Sequence, residues 1–306
     1  MSLTGLLGNE LARRALPEGG FVDRPQGRFR VDATAWGILA ARSLGLSQED
    51  LERHRSRLLL EQQREDGRVR LSPQHPESYW PTALAILAWQ NSPASQAAQN
   101  LAVRFLLAAT GIHFTRKSDS PSAHDTELKG WPWIENTHSW VEPTAMCVLA
   151  LRAAGYGRHE RVGEAVRMLL DRQLPHGGWN AGNTIVFGHE LHPMPEGSGS
   201  ALASLAGAVD EAEVARSLDY LHGEVDRLRT PISLGWSLIG LAAWGRWPSR
   251  GGVLVERCLT NQGRYGGYDT SSLCLLALGA LAGGSKAYSP LFQSLNSKPA
   301  SVVAVS

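Results

Sequence analysis

One carboxylate in this sequence stands apart from the rest. Glu142 lies in Trp140-Val141-Glu142-Pro143-Thr144, directly ahead of a proline and a long apolar run. Proline suits the first helical position, so a helix opens here, yet Glu is not a favoured N-cap. A helix N-terminus favours the ionised form by about 0.3–1 kcal/mol. Desolvation by Trp140 and an apolar lumen opposes this and shifts a fully buried acid by up to a few pKa units, so desolvation wins if Glu142 faces a closed lumen. Glu142 therefore reads as a carboxylic acid that is neutral near pH 7 and able to donate a proton. Asp269, ahead of Thr270, and His138, four residues before Glu142, are supporting catalytic candidates. Asp32, Ser198, Thr230 and Asp269 also suit plain N-cap roles, each worth about 1 kcal/mol.

Histidines were weighed as metal ligands. His138 and Glu142 are four apart, and His189 and His192 three apart. Nitrogen and oxygen ligands from two loops are chemically suited to zinc. No thiol joins them and the spacing matches no known signature. No metal and no cofactor are therefore expected, with zinc on those four residues as the alternative. His189 and His192 are instead assigned to ligand contact.

The aromatic inventory points the same way. Ten tryptophans outnumber six Phe and six Tyr. Trp36, Trp80, Trp131, Trp133, Trp140 and Trp236 fall in or beside apolar helical runs. Aromatic faces line hydrocarbon pockets and stabilise cations. They also stack on sugar rings, or simply fill space.

These side chains need a scaffold, and the chain supplies a repeated one. A turn or polar residue, then Thr or Ser, then small and aliphatic residues recur six times. The clearest copies begin at Val31 (VDATAWGILAARSLG), Ser78 (SYWPTALAILAW) and Trp140 (WVEPTAMCVLALRAAG). Looser ones begin at Glu196, Thr230 and Gly267. Helices apolar on nearly every face are buried. Between them lie segments with apolar residues at three- and four-residue spacing, beginning at Ser47, Ser92, Arg158, Val209 and Gly251. These predict amphipathic surface helices. No convincing alternating strand is found. An open solenoid leaves both of its helix layers partly exposed, whereas a closed double ring buries the inner one. The expected fold is all-α: a single (α/α)6 toroid over residues 1–306, with six inner and five to six outer helices. The repeats span about 30–283, and the tail about 295–306.

The segment RMLLDRQLPHGGWNAGNT, with Gln173, Gly177, Gly178 and Trp179, resembles the QW repeat of squalene–hopene and oxidosqualene cyclases. A similar turn marks protein prenyltransferase β subunits. Weaker copies carry Gln62, Gln63 and Gly67, and Gln262, Gly266, Gly267 and Tyr268. The resemblance implies the toroid and an isoprenoid-type ligand. It places Glu142 where class II cyclases keep the middle Asp of their DxDDTA motif. Tyr268-Asp269-Thr270 stands where prenyltransferases carry a zinc-binding His, and no matching Asp-x-Cys is present. Such cyclases usually carry a second helical domain, for which this chain has no room.

Composition narrows the partners. Thirty basic and 29 acidic residues give a net charge of +1 and no electrostatic footprint for nucleic acid. No apolar run is long enough for a transmembrane helix, which leaves peripheral membrane contact open. Three cysteines are too few for a disulfide framework, which, with no secretory signal, indicates a cytoplasmic protein. Two long segments, 111–140 and 180–200, flank the third inner helix and are expected to form a lid or pocket wall. The expected function is terpene cyclase-like or prenyltransferase-like: binding or transforming a hydrophobic small molecule in a Trp-lined cavity, acid-assisted if catalytic. A carbohydrate-active (α/α)6 enzyme pairing Glu142 with Asp269, and a non-catalytic helical scaffold, are the alternatives.

Overall fold

The computed structural model describes residues 2–62, 65–75, 77–115 and 122–284. The tail at 295–306 and part of the charged stretch of the first long loop lie outside the described residues. In chain order the helices are α1 (Leu3–Ala12), α2 (Val31–Ser43), α3 (Gln48–Leu59), α4 (Trp80–Ala88), α5 (Gln96–Ala108), α6 (Val141–Ala153) and α7 (Glu160–Asp171). There follow α8 (Pro195–Leu205), α9 (Glu211–Glu224), α10 (Pro231–Ala243), α11 (Gly251–Thr260), the single turn α12 (Gln262–Tyr265) and α13 (Thr270–Leu281). None of the described helices is long and apolar enough to cross a membrane.

Helices α2, α4, α6, α8, α10 and α13 form the inner ring. Each packs on the next, and α13 returns to α2, so the ring is closed. The physical cause is composition: the inner helices are buried almost end to end, as in α6, where every residue but Glu142 is buried. The outer helices bury one stripe only; α7 buries Arg161, Val162, Ala165, Met168 and Leu169. The sequence reading missed one outer helix. Residues 3–12 form α1, which packs against α13 and α2 and covers the seam where the ring closes. Its buried Leu7 and Leu11 are four apart, a pattern too short to stand out in sequence.

A buried hydroxyl in the first turn of four of the six inner helices ties the helix to the turn before it. Thr34 Oγ1 accepts from the Phe21 N–H at 2.9 Å, Thr82 Oγ1 from Val69 at 3.0 Å, and Thr144 Oγ1 from Trp131 at 2.9 Å. Ser198 Oγ accepts from Trp179 at 2.9 Å. A first-turn hydroxyl also closes the circle, but as a donor: Thr270 Oγ1 donates to the carbonyls of Val22 (2.6 Å) and Asp23 (2.9 Å). The Thr or Ser in the repeat pattern is therefore a tie between the helix and the turn that precedes it.

The Gln-Gly-Gly-Trp segment shows how such a turn is built. Gln173 Nε2 and the Gly178 N–H both donate to Ser217 Oγ on α9, at 2.8 and 2.7 Å. Gly177 has φ +100°, and a Cβ there would lie 2.5 Å from the Arg216 carbonyl oxygen. Only glycine meets both constraints. Trp179 is fully buried and its Nε1 donates to the Leu169 carbonyl at 2.6 Å, satisfying a free carbonyl near the end of α7. Trp131 does the same one repeat earlier, donating to the Leu106 carbonyl at 2.8 Å.

The two long loops do meet. Ala123 N–H donates to the Ile185 carbonyl at 3.0 Å, and Val141 N–H to that of Ala181 at 3.0 Å. Within the second loop, β1 (Ile185–Val186) and β2 (His189–Glu190) form a small antiparallel hairpin, a strand pair too short to show as sequence alternation.

Replacing Thr144 with Val keeps the shape and removes the hydroxyl, leaving the buried Trp131 N–H unpaired. The expected loss is about 1–3 kcal/mol. Urea unfolding should show a lower midpoint with an unchanged m-value; an unshifted midpoint would show that the tie is dispensable.

Candidate active site

The lumen of the ring holds a cavity of about 550 Å³. The first turns of five inner helices reach it, through Asp32, Trp80, Glu142, Ile232 and Ser271. Trp36, Leu84, Met146, Trp236 and Leu275, deeper in their helices, make its apolar wall. Ridges of small residues elsewhere on these helices let them pack closely; Gly199 lies where a Cβ would come within 2.4 Å of the Trp236 backbone.

Four of the six expected tryptophans line this cavity. Trp36 and Trp236 meet edge to face with centroids 5.7 Å apart, and Trp80 and Trp133 do so at 6.0 Å. Each pair therefore presents aromatic faces and edges in a fixed arrangement. Trp131 and Trp140 do not line the cavity. Trp131 is fully buried between α5 and α7, with the Arg161 guanidinium 3.9 Å from its ring centroid. Trp140 belongs to a second, smaller cavity of about 240 Å³ between the long loops.

Glu142 lines the central cavity. Desolvation, with the Glu196 carboxylate adding a smaller push, raises its pKa to about 7. No hydrogen-bond donor among the described residues offsets this. The acid is thus about half protonated at neutral pH, beside an aromatic-walled space. Glu196, in the first turn of α8, accepts from Ser233 Oγ at 2.7 Å. Sequence reasoning missed it, because nothing in the chain text places α8's first turn beside that of α6.

Asp269 also lines the cavity, but its two oxygens are used locally. They accept from the Ser272 N–H at 2.9 Å and the Ser272 hydroxyl at 2.8 Å, capping α13. It does not form a free carboxylate pair with Glu142. Asp32 is held by Arg30, whose Nε and Nη2 donate to its two oxygens at 2.8 and 2.9 Å. Asp23, Arg24 and Arg30 come from the segment before α2 and complete the mouth; they lie outside the repeat pattern itself, which begins at Val31, and so carried no sequence signal for this.

The histidines fall elsewhere. His138 lines the smaller cavity with His113 and His124, its ring 5.3 Å from that of Phe114. His189 and His192 are exposed on and beside the hairpin. The four residues considered for zinc are thus divided between two cavities and the surface. Among the described residues, no group of three His, Cys, Asp or Glu is placed to hold a metal. The long loops line the smaller cavity on the flank of α6, and among their described residues only Trp133 reaches the larger one.

No protein-family model matches the chain, and no curated protein matches it. Solved structures do. A type II terpene cyclase, MstE from Scytonema, in a variant bound to its substrate geranylgeranyl dihydroxybenzoate, is 13% identical with a TM-score of 0.56, over 95% of this chain and 98% of that one. The ent-copalyl diphosphate synthase from Streptomyces platensis is 16% identical, TM-score 0.53, over 87% of this chain and 50% of that one. An α-1,6-mannanase from Salegentibacter, bound to α-1,6-mannotriose, is 12% identical, TM-score 0.56, over 91% and 99%. The chain thus has the terpene cyclase-like (α/α) toroid fold, which a glycosidase shares. The chain spans 98% of the MstE structure and half of the ent-copalyl diphosphate synthase.

Glu142 gives a pH signature. Its folded pKa, about 7, lies above the unfolded carboxyl range. The folded state therefore gains stability from the bound proton at pH below about 4, and loses it as pH rises through 7. Glu142→Gln should leave stability at pH 4 nearly unchanged and raise it at pH 8 by on the order of 2 kcal/mol. Denaturant titrations at the two pH values check this; equal effects at both would show that the carboxyl is not held neutral.

Proposed function

We propose that this protein is a terpene cyclase-like enzyme that protonates a carbon–carbon double bond of a hydrophobic isoprenoid held in the central cavity. The observation that carries this reading is Glu142: a carboxylic acid whose pKa burial raises to about 7, at an apolar, tryptophan-walled space. Fold likeness alone does not select a reaction.

In the proposed step Glu142 O–H delivers its proton to one carbon of the alkene. The π electron pair forms the new C–H bond, the other carbon becomes a carbocation, and Glu142 is left as a carboxylate. A pKa near the working pH suits such an acid, which contributes about 10²–10⁴-fold. Trp36, Trp80, Trp133 and Trp236 offer ring faces that attract the cation as further double bonds add to it. Loss of a proton, or capture of water, ends the sequence. Glu142 regains its proton from solvent at the mouth. The apolar wall of Trp36, Leu84, Met146 and Trp236 offers a hydrocarbon chain contact and supports this reading, while the Asp, Arg and Ser residues at the mouth are groups the mannanase-like reading would use.

The test is incubation with polyprenyl substrates followed by mass-spectrometric product analysis. Cyclised isomers are expected from the native protein. Glu142→Gln should still bind, read from tryptophan quenching, with turnover reduced about 10²–10⁴-fold. Trp236→Leu should change the product distribution more than the affinity. Cleavage of α-mannan with no product from any isoprenoid would sink the proposal.

A further inference from the structure

The chain between α1 and α2 is a strap across the seam where the ring closes. Val22 and Asp23 offer their carbonyls to the Thr270 hydroxyl at 2.6 and 2.9 Å, and Asp23 also takes the Thr270 N–H at 2.7 Å. Asp23 and Arg24 line the mouth of the central cavity. A group that holds this strap down therefore holds both the seam and one side of the mouth.

His54, on outer helix α3, is such a group, and it can gain a proton. It is 1% exposed, and its Nδ1 accepts the Gly20 N–H at 3.0 Å. Its ring stacks on that of Phe21, with centroids 4.4 Å apart. The turn is closely fitted: Gly20 has φ +83°, and a Cβ there would lie 2.7 Å from the Phe29 ring. A neutral imidazole keeps one acceptor nitrogen, whereas an imidazolium has two donors and no acceptor. A proton on His54 thus sets an N–H against the Gly20 N–H, and a buried donor without an acceptor is costly. Burial holds the His54 pKa down to about 4, with Arg53 adding to the shift and Asp50 opposing it. Both of those charges are on α3 itself. On the strap, Glu18 and Asp23 flank an uncharged Gly19–Val22; on α2, which packs on α3, Asp32 and Arg42 flank an uncharged Ala33–Ala41.

We propose that His54 is an acid-sensitive latch: its protonation breaks the bond to Gly20 and releases the strap around residues 19–24, loosening the ring seam and the cavity mouth while the other repeats stay folded. The latch does not depend on which reaction the cavity performs. A released His54 titrates near the ordinary value of about 6.5. The strap is therefore fully held above that pH, and the hold is lost as pH falls through 4. Between pH 7 and pH 4 the opening equilibrium should rise about 100-fold.

Hydrogen exchange of the full chain, read by mass spectrometry at pH 7 and pH 4 and corrected for intrinsic rates, tests this. Peptides that carry the Gly20 and Thr270 amides should lose protection about 100-fold in acid, and those from α6 to α9 should not. His54→Asn keeps an acceptor oxygen near the place of Nδ1 and takes up no proton; it should protect the strap equally at both pH values. The His54 ring signal of the native protein, followed by NMR, should titrate with the same midpoint as the loss of protection, a check that stands even where the variant does not fold. Loss of protection spread evenly over all repeats, acid loss in His54→Asn equal to that of the native protein, or a strap that opens while His54 is still neutral overturns the inference.

Discussion

The bond between an inner-helix hydroxyl and the backbone of the preceding turn is the constraint on which the rest of this molecule depends. Thr34, Thr82, Thr144 and Ser198 each sit in the first turn of an inner helix and take the N–H of a buried turn residue. An unpaired buried N–H is costly, so each turn has one depth at which it can dock. That depth sets the level of the next inner helix. Thr270 works in the opposite sense at the chain's own beginning, its hydroxyl donating to the carbonyls of Val22 and Asp23, and so converts a row of repeats into a circle.

Closure produces a lumen, and the lumen produces the chemistry. Inner helices aligned by their first turns bring Asp32, Trp80, Glu142 and Ser271 to one mouth. The helices below are apolar on the lumen side, through Trp36, Leu84, Met146 and Trp236, so water has few partners there. Glu142 is desolvated by that surround and faces the charge of Glu196. Holding it in place opposes stability at neutral pH, a cost other parts of the fold offset. Buried arginines on the periphery make the opposite bargain: Arg55 gives hydrogen bonds to the carbonyls of Ala88 and Gln90, and Arg161 to those of Gly130 and Ala109. Arg55 thereby ties outer helix α3 to the end of inner helix α4, and Arg161 ties α7 to the end of α5 and to the loop before α6.

Tryptophan serves two purposes in the same chain. Trp131 and Trp179 are plugs, fully buried, with their indole N–H groups on helix-end carbonyls. Trp36, Trp80, Trp133 and Trp236 are wall residues, paired edge to face. Trp131 and Trp133, two residues apart ahead of α6, fall one to each use, so residue type and position did not separate them. The hydrogen-bond partner of the indole separates Trp131 and Trp179 from the lumen-facing four.

The sequence by itself determined the alternation of buried and amphipathic helices, the ring, and the singular character of Glu142. Each of these rests on local information: periodicity, the absence of charge in a run, a Glu ahead of Pro where a cap was expected. Only the tertiary structure decided which residues share the lumen. Asp269 read as a possible acid until its oxygens were seen to cap α13 through Ser272. His138, four residues from Glu142 in sequence, lines a different cavity, because Glu142 lies in the first turn of α6 and His138 in the loop packed on its flank. Residues 3–12 read as a short apolar patch and became the sixth outer helix, since their Leu7 and Leu11 find a surface only where α13 meets α2. Glu196 acts on Glu142 from another repeat, and Asp23, Arg24 and Arg30 reach the mouth from a loop at the far end of the chain from α13. Charge interactions of that kind depend on distance in space, and distance in space was fixed only when the ring closed.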